Sequence, residues 1–375
     1  MGFWLHKTFI SKRDFANVTS GTEVFNLPKS GILSNLLLEL MAYSGSTNAD
    51  IFMADAISKV EVIGNGSTVI QSLTGAQIQA SAAWDDKAMP MDKEISPSAG
   101  CYGYFDIRFG RFPGDQKYAL DCSKWDSLEL KITYDLTAGG ALGTTGMTTD
   151  TGTIICIGLY SPDGAGLTPV GYLKKAQKKT YVTATDGTED LALPTDFPYR
   201  RLLLGKTHDK YSFLQAWRYI TIDINNGARK PIDNMTSNEL MRLQNAIAGN
   251  PIWRHWKRYY FAAAAVTMSS PIGWMTNAFV GAWMGGAAPV INGMDPPFYS
   301  LTASTLVHAH IAEEGFLPWH TLAIDLERQS GKDGVEAMMD CWGYDQAADI
   351  HLKHTQWLAD ENLSVVLEQY ASHPV

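Results

Sequence analysis

The chain has 375 residues, 45% of them apolar and 18% charged, enough for two domains, or one large one, with sizeable buried cores. Thirty Lys and Arg against 39 Asp and Glu leave a net charge of −9, which excludes a whole-chain electrostatic binder of nucleic acid. Cys101, Cys122, Cys156 and Cys341 are dispersed without a Cys-x-x-Cys pair, so neither a zinc site nor a disulfide framework is indicated.

Residues 1–20 read as an N-terminal arm. Gly2-Phe3-Trp4-Leu5-His6-Lys7 has no basic leader followed by an apolar core, which argues against a signal peptide, and His6 breaks the myristoylation pattern. Aromatics mixed with Lys7, Lys12 and Arg13 suit packing on the chain's own domain, a neighbouring subunit or a membrane surface.

From Val24 to Tyr160 the pattern is that of β structure. Phe105, Ile107 and Phe109 alternate with Asp106 and Arg108, and Leu128, Leu130, Ile132, Tyr134 and Leu136 alternate with Glu129, Lys131, Thr133 and Asp135. Both predict strands with one buried and one wet face. Ala138 to Gly152, rich in Gly and Thr, reads as an excursion loop before the apolar run Ile154-Ile155-Cys156-Ile157. Residues 161–192 read as a connector carrying the basic run Lys174-Lys175-Ala176-Gln177-Lys178-Lys179, either a solvated face or a contact for phosphate, from nucleic acid or lipid headgroups.

A second module is expected from Leu193. Its helix, Asn238 to about Ile247, ends at Gly249-Asn250-Pro251. Trp253 to Tyr260 interleaves aromatic and basic residues and predicts an amphipathic or interface strand, with base stacking as the alternative. Phe261 to Met294 carries no charged side chain, but Pro271, Pro289, Asn277 and several glycines break any membrane-spanning helix. Buried strands and packed loops are expected there instead. Further strands are expected around Val307–Ile311, Leu322–Leu326, Ile350–Lys353 and Leu363–Tyr370.

One ordered pattern occurs twice. Leu27-Pro28, Leu36-Leu37-Leu38, Lys59 to Ile63, Asn65-Gly66 and Thr74-x-x-Gln77 match Leu193-Pro194, Leu202-Leu203-Leu204, Tyr219 to Ile224, Asn226-Gly227 and Thr236-x-x-Glu239. Each Asn-Gly suits a tight hairpin turn, and each Thr-x-x-Gln/Glu fits a capping box. The repetition points to tandem duplication. Many short strands, one short helix per module and long loops predict an all-β chain of two jelly-roll sandwiches, a double jelly roll. The expected division is an arm over 1–20, a first jelly roll over 21–160, a connector over 161–192 and a second jelly roll over 193–375.

His308-Ala309-His310 followed by Glu314 is the best candidate for reactive chemistry. It resembles the metal motif of cupins, although the flanking glycines and a second motif with the third His are missing. The structural reading places both histidines on the polar face of a strand. His351 and His354 are expected at the surface or an interface rather than as ligands. No phosphate-binding glycine loop and no Gly-x-Ser-x-Gly elbow is present.

Two tandem jelly rolls with charge-poor loops, together with Phe197 to Leu204 and Val365 to Tyr370, make the chain resemble the double jelly-roll major capsid proteins of adenovirus and of tailless, internal-membrane phages and archaeal viruses. The resemblance implies a structural protein without catalytic, cofactor or metal residues. It implies trimers of pseudo-hexagonal outline that tile an icosahedral virion, assembly in the host cytoplasm, and contacts with penton or minor capsid proteins but not with specific nucleic-acid sequences. Loops 138–152 and part of 268–300 would form the outer surface or the trimer seam, and the arm would face inward toward neighbours or membrane. Two other functions fit a jelly roll: a bicupin-like metalloenzyme using His308, His310 and Glu314, and a carbohydrate-binding protein drawing on the 11 Trp.

Overall fold

The computed structural model describes residues 3–15, 19–43, 51–90, 100–137, 146–147, 152–162, 164, 166–207, 212–248, 253–261, 266–283, 290–292, 298–301, 307–326 and 347–374; over 253–311 side chains are described only at 270–274. The first half contains β1 (Leu5–Asp14), β2 (Ser20–Asn26), β3 (Ile32–Tyr43), α1 (Met53–Ala56), β4 (Lys59–Gly64), β5 (Thr68–Leu73), α2 (Gly75–Asp86), β6 (Gly100–Arg108), β7 (Leu120–Asp121), β8 (Leu128–Asp135) and β9 (Gly152–Ser161). One sheet runs β1-β9-β3-β6, with β7 beside β3, and the other runs β2-β8-β4-β5. Leu36, Leu38 and Leu40 from the first and Val62, Ile70, Leu130 and Ile132 from the second share one core.

The second half repeats this order. It contains β10 (Tyr172–Val182), β11 (Thr188–Leu193), β12 (Tyr199–Lys206), α3 (Phe213–Ala216), β13 (Tyr219–Ile224), β14 (Arg229–Thr236) and α4 (Ser237–Ala248). An insertion follows: β15 (Trp253–Phe261), β16 (Val266–Ser269), β17 (Ile272–Trp283), β18 (Val290–Asn292), β19 (Phe298–Leu301) and β20 (Val307–Pro318). The repeat resumes with β21 (Thr321–Asp325), β22 (Ile350–Thr355) and β23 (Asn362–Ala371). The strand order β10-β23-β12-β21 reproduces β1-β9-β3-β6, and β11-β22-β13-β14 reproduces β2-β8-β4-β5. A second core joins Leu202, Leu204, Val365 and Leu367 from the first of these sheets to Ile220, Ile222 and Leu352 from the other.

The expected helices both form. Thr74 and Thr236 each accept the amide of the residue three positions on, and Gln77 and Glu239 reach back to the cap amides. The second helix spans Ser237–Ala248, one residue longer at each end than expected, and each half also holds a one-turn helix, α1 or α3. The stretch expected as an arm is paired into the sheet, because Leu5–Asp14 runs antiparallel to β9. Residues 172–182 and 188–192, expected within a connector, lie in β10 and β11.

Candidate functional site at the seam between the two halves

β5 and β10 pair in parallel, with Gln71 opposite Lys175 and Ser72 opposite Ala176. This pairing fuses β2-β8-β4-β5 and β10-β23-β12-β21 into one eight-stranded sheet. The Gln71 side chain holds the join, since its amide donates to the carbonyls of Arg108 at 2.9 Å and Leu173 at 3.0 Å. Gln77 donates across it to Gln177 at 2.6 Å.

α2 lies against the second half. Its residues Ser81, Trp84 and Asp85 are spaced i, i+3 and i+4, so they share one helix face. Trp84 Nε1 donates to the Thr321 carbonyl at 3.1 Å, and Ser81 Oγ donates to Glu368 Oε1 at 2.6 Å. Leu203, Val366, Trp319 and Ala323, all from the second half, belong to the core of the first. β12 is therefore buried at every position, whereas its counterpart β3 alternates.

An ionic cluster sits at the centre of this contact. Arg201 Nη2 lies 2.8 Å from both Asp85 and Glu368, and Arg200 Nη2 is 2.9 Å from Asp85. Lys175 is 3.6 Å from Glu368 and donates to Ser81 Oγ at 2.8 Å. Arg108 reaches Asp85 at 3.9 Å and Asp106 at 2.6 Å. Burial alone would raise the Asp85 carboxyl, but Arg200, Arg201, Lys175 and Arg108 hold it well below the usual carboxylate range. Burial likewise opposes ionisation of Glu368, and Arg201 and Lys175 overcome it. Burial lowers the Lys175 ammonium, against the pull of Glu368 and Asp85. Charges removed from water this completely are costly unless every partner stands in place. The cluster therefore ties the two halves to one relative position. Arg108, expected on the wet face of its strand, is buried beside α2, where its guanidinium meets Asp85 and Asp86.

The basic run is divided rather than gathered into one patch. Lys175 is in the buried cluster, Lys174 lies 3.7 Å from Asp196, Lys179 lies 2.7 Å from Glu189, and Lys178 is exposed. Alternation along β10 sends successive lysines to opposite faces.

His308, His310 and Glu314 all lie on β20. In the ladder His308 is opposite Tyr260 and Trp283, His310 is opposite Arg258 and Gly281, and Glu314 is opposite Arg254 and Asn277. The side chains of His308 and His310 lie outside the described residues, as do most of those in Phe261 to Met294 and most of loop 138–152. Among the described residues no group of three His, Cys, Asp or Glu is placed to hold a metal ion, and no helix is long and apolar enough to cross a membrane. His351 is half-buried, with Nδ1 2.5 Å from Asp190. His354 is not at a surface. It is buried against Trp217, with ring centroids 4.3 Å apart, and hydrogen-bonds Tyr181.

Sequence reasoning missed the cluster itself. The available signal was charge inside apolar strands: Arg200-Arg201 opens the run that continues through Leu204, and Glu368 follows Val365-Val366-Leu367.

No protein-family model matches the chain, and no curated protein sequence does. Solved structures match it over nearly its whole length. The major capsid protein of Sulfolobus turreted icosahedral virus is 10% identical with a TM-score of 0.55, and 97% of each chain is covered. The major capsid protein P2 from bacteriophage PM2 is 12% identical with a TM-score of 0.54, covering 99% of this chain and 98% of that one. PBCV-1 VP54, fitted into a reconstruction of the virophage Sputnik, is 9% identical with a TM-score of 0.54, covering 99% and 94%. The chain thus has the double jelly-roll fold.

Proposed function

We propose that this protein is a structural major capsid protein whose chains trimerise into pseudo-hexameric capsomers of an icosahedral virion. The observation that carries the reading is the seam. Two copies of one sandwich are locked side by side by the buried Asp85–Arg201–Glu368 cluster. A rigid tile needs such a lock. Solved capsid proteins that share this fold over nearly the full chain support the same reading.

The first jelly roll runs from β1 to β9 and the second from β10 to β23. The role is structural rather than enzymatic, and its place is the virion shell, assembled in the host cytoplasm. Neighbouring capsomers and penton or minor capsid proteins are the partners, with membrane contact through the N-terminal stretch over residues 1–20. Sedimentation and native mass measurement test this. Assembly at three times the 41.2 kDa chain mass is expected, and a stable monomer at micromolar concentration would overturn it.

A further inference from the structure

The seam inside the chain has a counterpart that one chain leaves uncovered. β5 is flanked by β10, but β14, which repeats β5, ends its sheet among the described residues, and so does β1, which repeats β10. β23 is buried along nearly its whole length, because the first half covers its outer face. β9, its counterpart, leaves Ile155, Ile157 and Leu159 only half-buried.

The ladders give the equivalence. Leu36 and Leu37 pair with Gly158 and Ile157, as Leu202 and Leu203 pair with Leu367 and Val366. Leu37 and Ile157 therefore stand where Leu203 and Val366 meet the first half. Leu37 is 40% exposed. It lines a groove of about 340 Å³ with Ala82, Met89 and Tyr104.

The other partner is also present. Aligned on their capping threonines, α2 and α4 place Leu243, Ala246 and Ile247 where Ser81, Trp84 and Asp85 contact the second half. Leu243 is 43% exposed, Ala246 is exposed and Ile247 is half-buried. Where the inner seam sets Asp85 of α2 against Arg201 and Glu368, the equivalent outer positions hold Ile247, Asn35 and Leu159, none of them charged.

We infer that a second copy of this chain covers these surfaces by repeating the inner seam, with the Leu243–Ala246–Ile247 face of α4 packed on Leu37 and Ile157 of the next copy. β14 of the first copy then lies beside β1 of the second. The contact is head-to-tail, since each chain offers α4 to one neighbour and β3 and β9 to the other. It rests on the trimer reading above and specifies which surfaces make it.

Leu243→Arg and Leu37→Arg test it, because both side chains are exposed in the single chain and neither substitution disturbs a core. Each variant alone should run at the mass of one chain, with its circular dichroism and thermal midpoint unchanged. Mixed in equal amounts they should form a two-chain species, because Leu243→Arg keeps an intact β3 face and Leu37→Arg keeps an intact α4. If the wild type is a trimer and either variant remains one, the seam lies elsewhere and this inference fails while the shell reading stands. A monomeric wild type would overturn both.

Discussion

Asn65 and Asn225 do the same work in the two halves. Each sits in the left-handed region, with φ of 52° and 54°. Asn65 Oδ1 accepts the amides of Asp126 at 2.8 Å and Ser127 at 3.4 Å, and Asn225 Oδ1 accepts those of Ala348 at 2.7 Å and Asp349 at 3.4 Å. Each thereby fastens a hairpin turn to the segment entering the neighbouring strand, β8 or β22. Asn65→Ala should cost about 1–2 kcal/mol through the lost acceptor. A further cost of about 1 kcal/mol comes from a Cβ residue without local hydrogen bonding at positive φ. Asn65→Gly should cost less by roughly that backbone share. Denaturant midpoints of the two variants separate the contributions, and equal midpoints would show that the backbone share is absent.

Glu368→Gln should destabilise the protein by about 3–5 kcal/mol, because it leaves buried Arg201 and Lys175 without their full counter-charge. Asp86→Asn should cost less than about 1 kcal/mol, since that carboxylate is half exposed. Urea unfolding of the two variants side by side checks the contrast.

Burial, partly offset by neighbouring groups, lowers the His354 imidazole to about 4 from 6.5. Between these values the unfolded chain binds the proton and the folded chain does not, so stability rises with pH across that window. The share from His354 is fully present above about pH 6.5 and is lost as the pH falls toward 4. It amounts to roughly 3 kcal/mol. His354→Gln should flatten the stability profile between those limits. The depressed Asp85 and Glu368 carboxyls have the same sign, but their contribution is lost lower, as the pH falls below about 4.

Burial pushes the Cys122 and Cys156 thiols up to about 12. At neutral pH iodoacetamide should leave both unmodified in the folded protein and alkylate both after denaturation. Peptide mass spectrometry reads the two states, and labelling of either thiol in the native protein would contradict the buried placement of β9 or of the turn after β7.

Local chemistry was legible in the residues. The alternation of Leu128 to Leu136 became β8, with every second side chain buried, and both capping boxes closed as their spacing predicted. These outcomes depend on neighbours a few positions apart, and such interactions are written directly into the chain order. The duplication was legible for the same reason, although the equivalent of Asn65 is Asn225 rather than Asn226, which only the hydrogen bonds distinguish. Partners separated by a hundred residues or more were decided by tertiary structure. Lys175 lies in a run that reads as solvated surface, yet the parallel pairing of β10 with β5 carries it inside, beside Asp85 and Glu368. A buried charge is stable only when distant opposite charges converge on it, and no local pattern encodes that convergence.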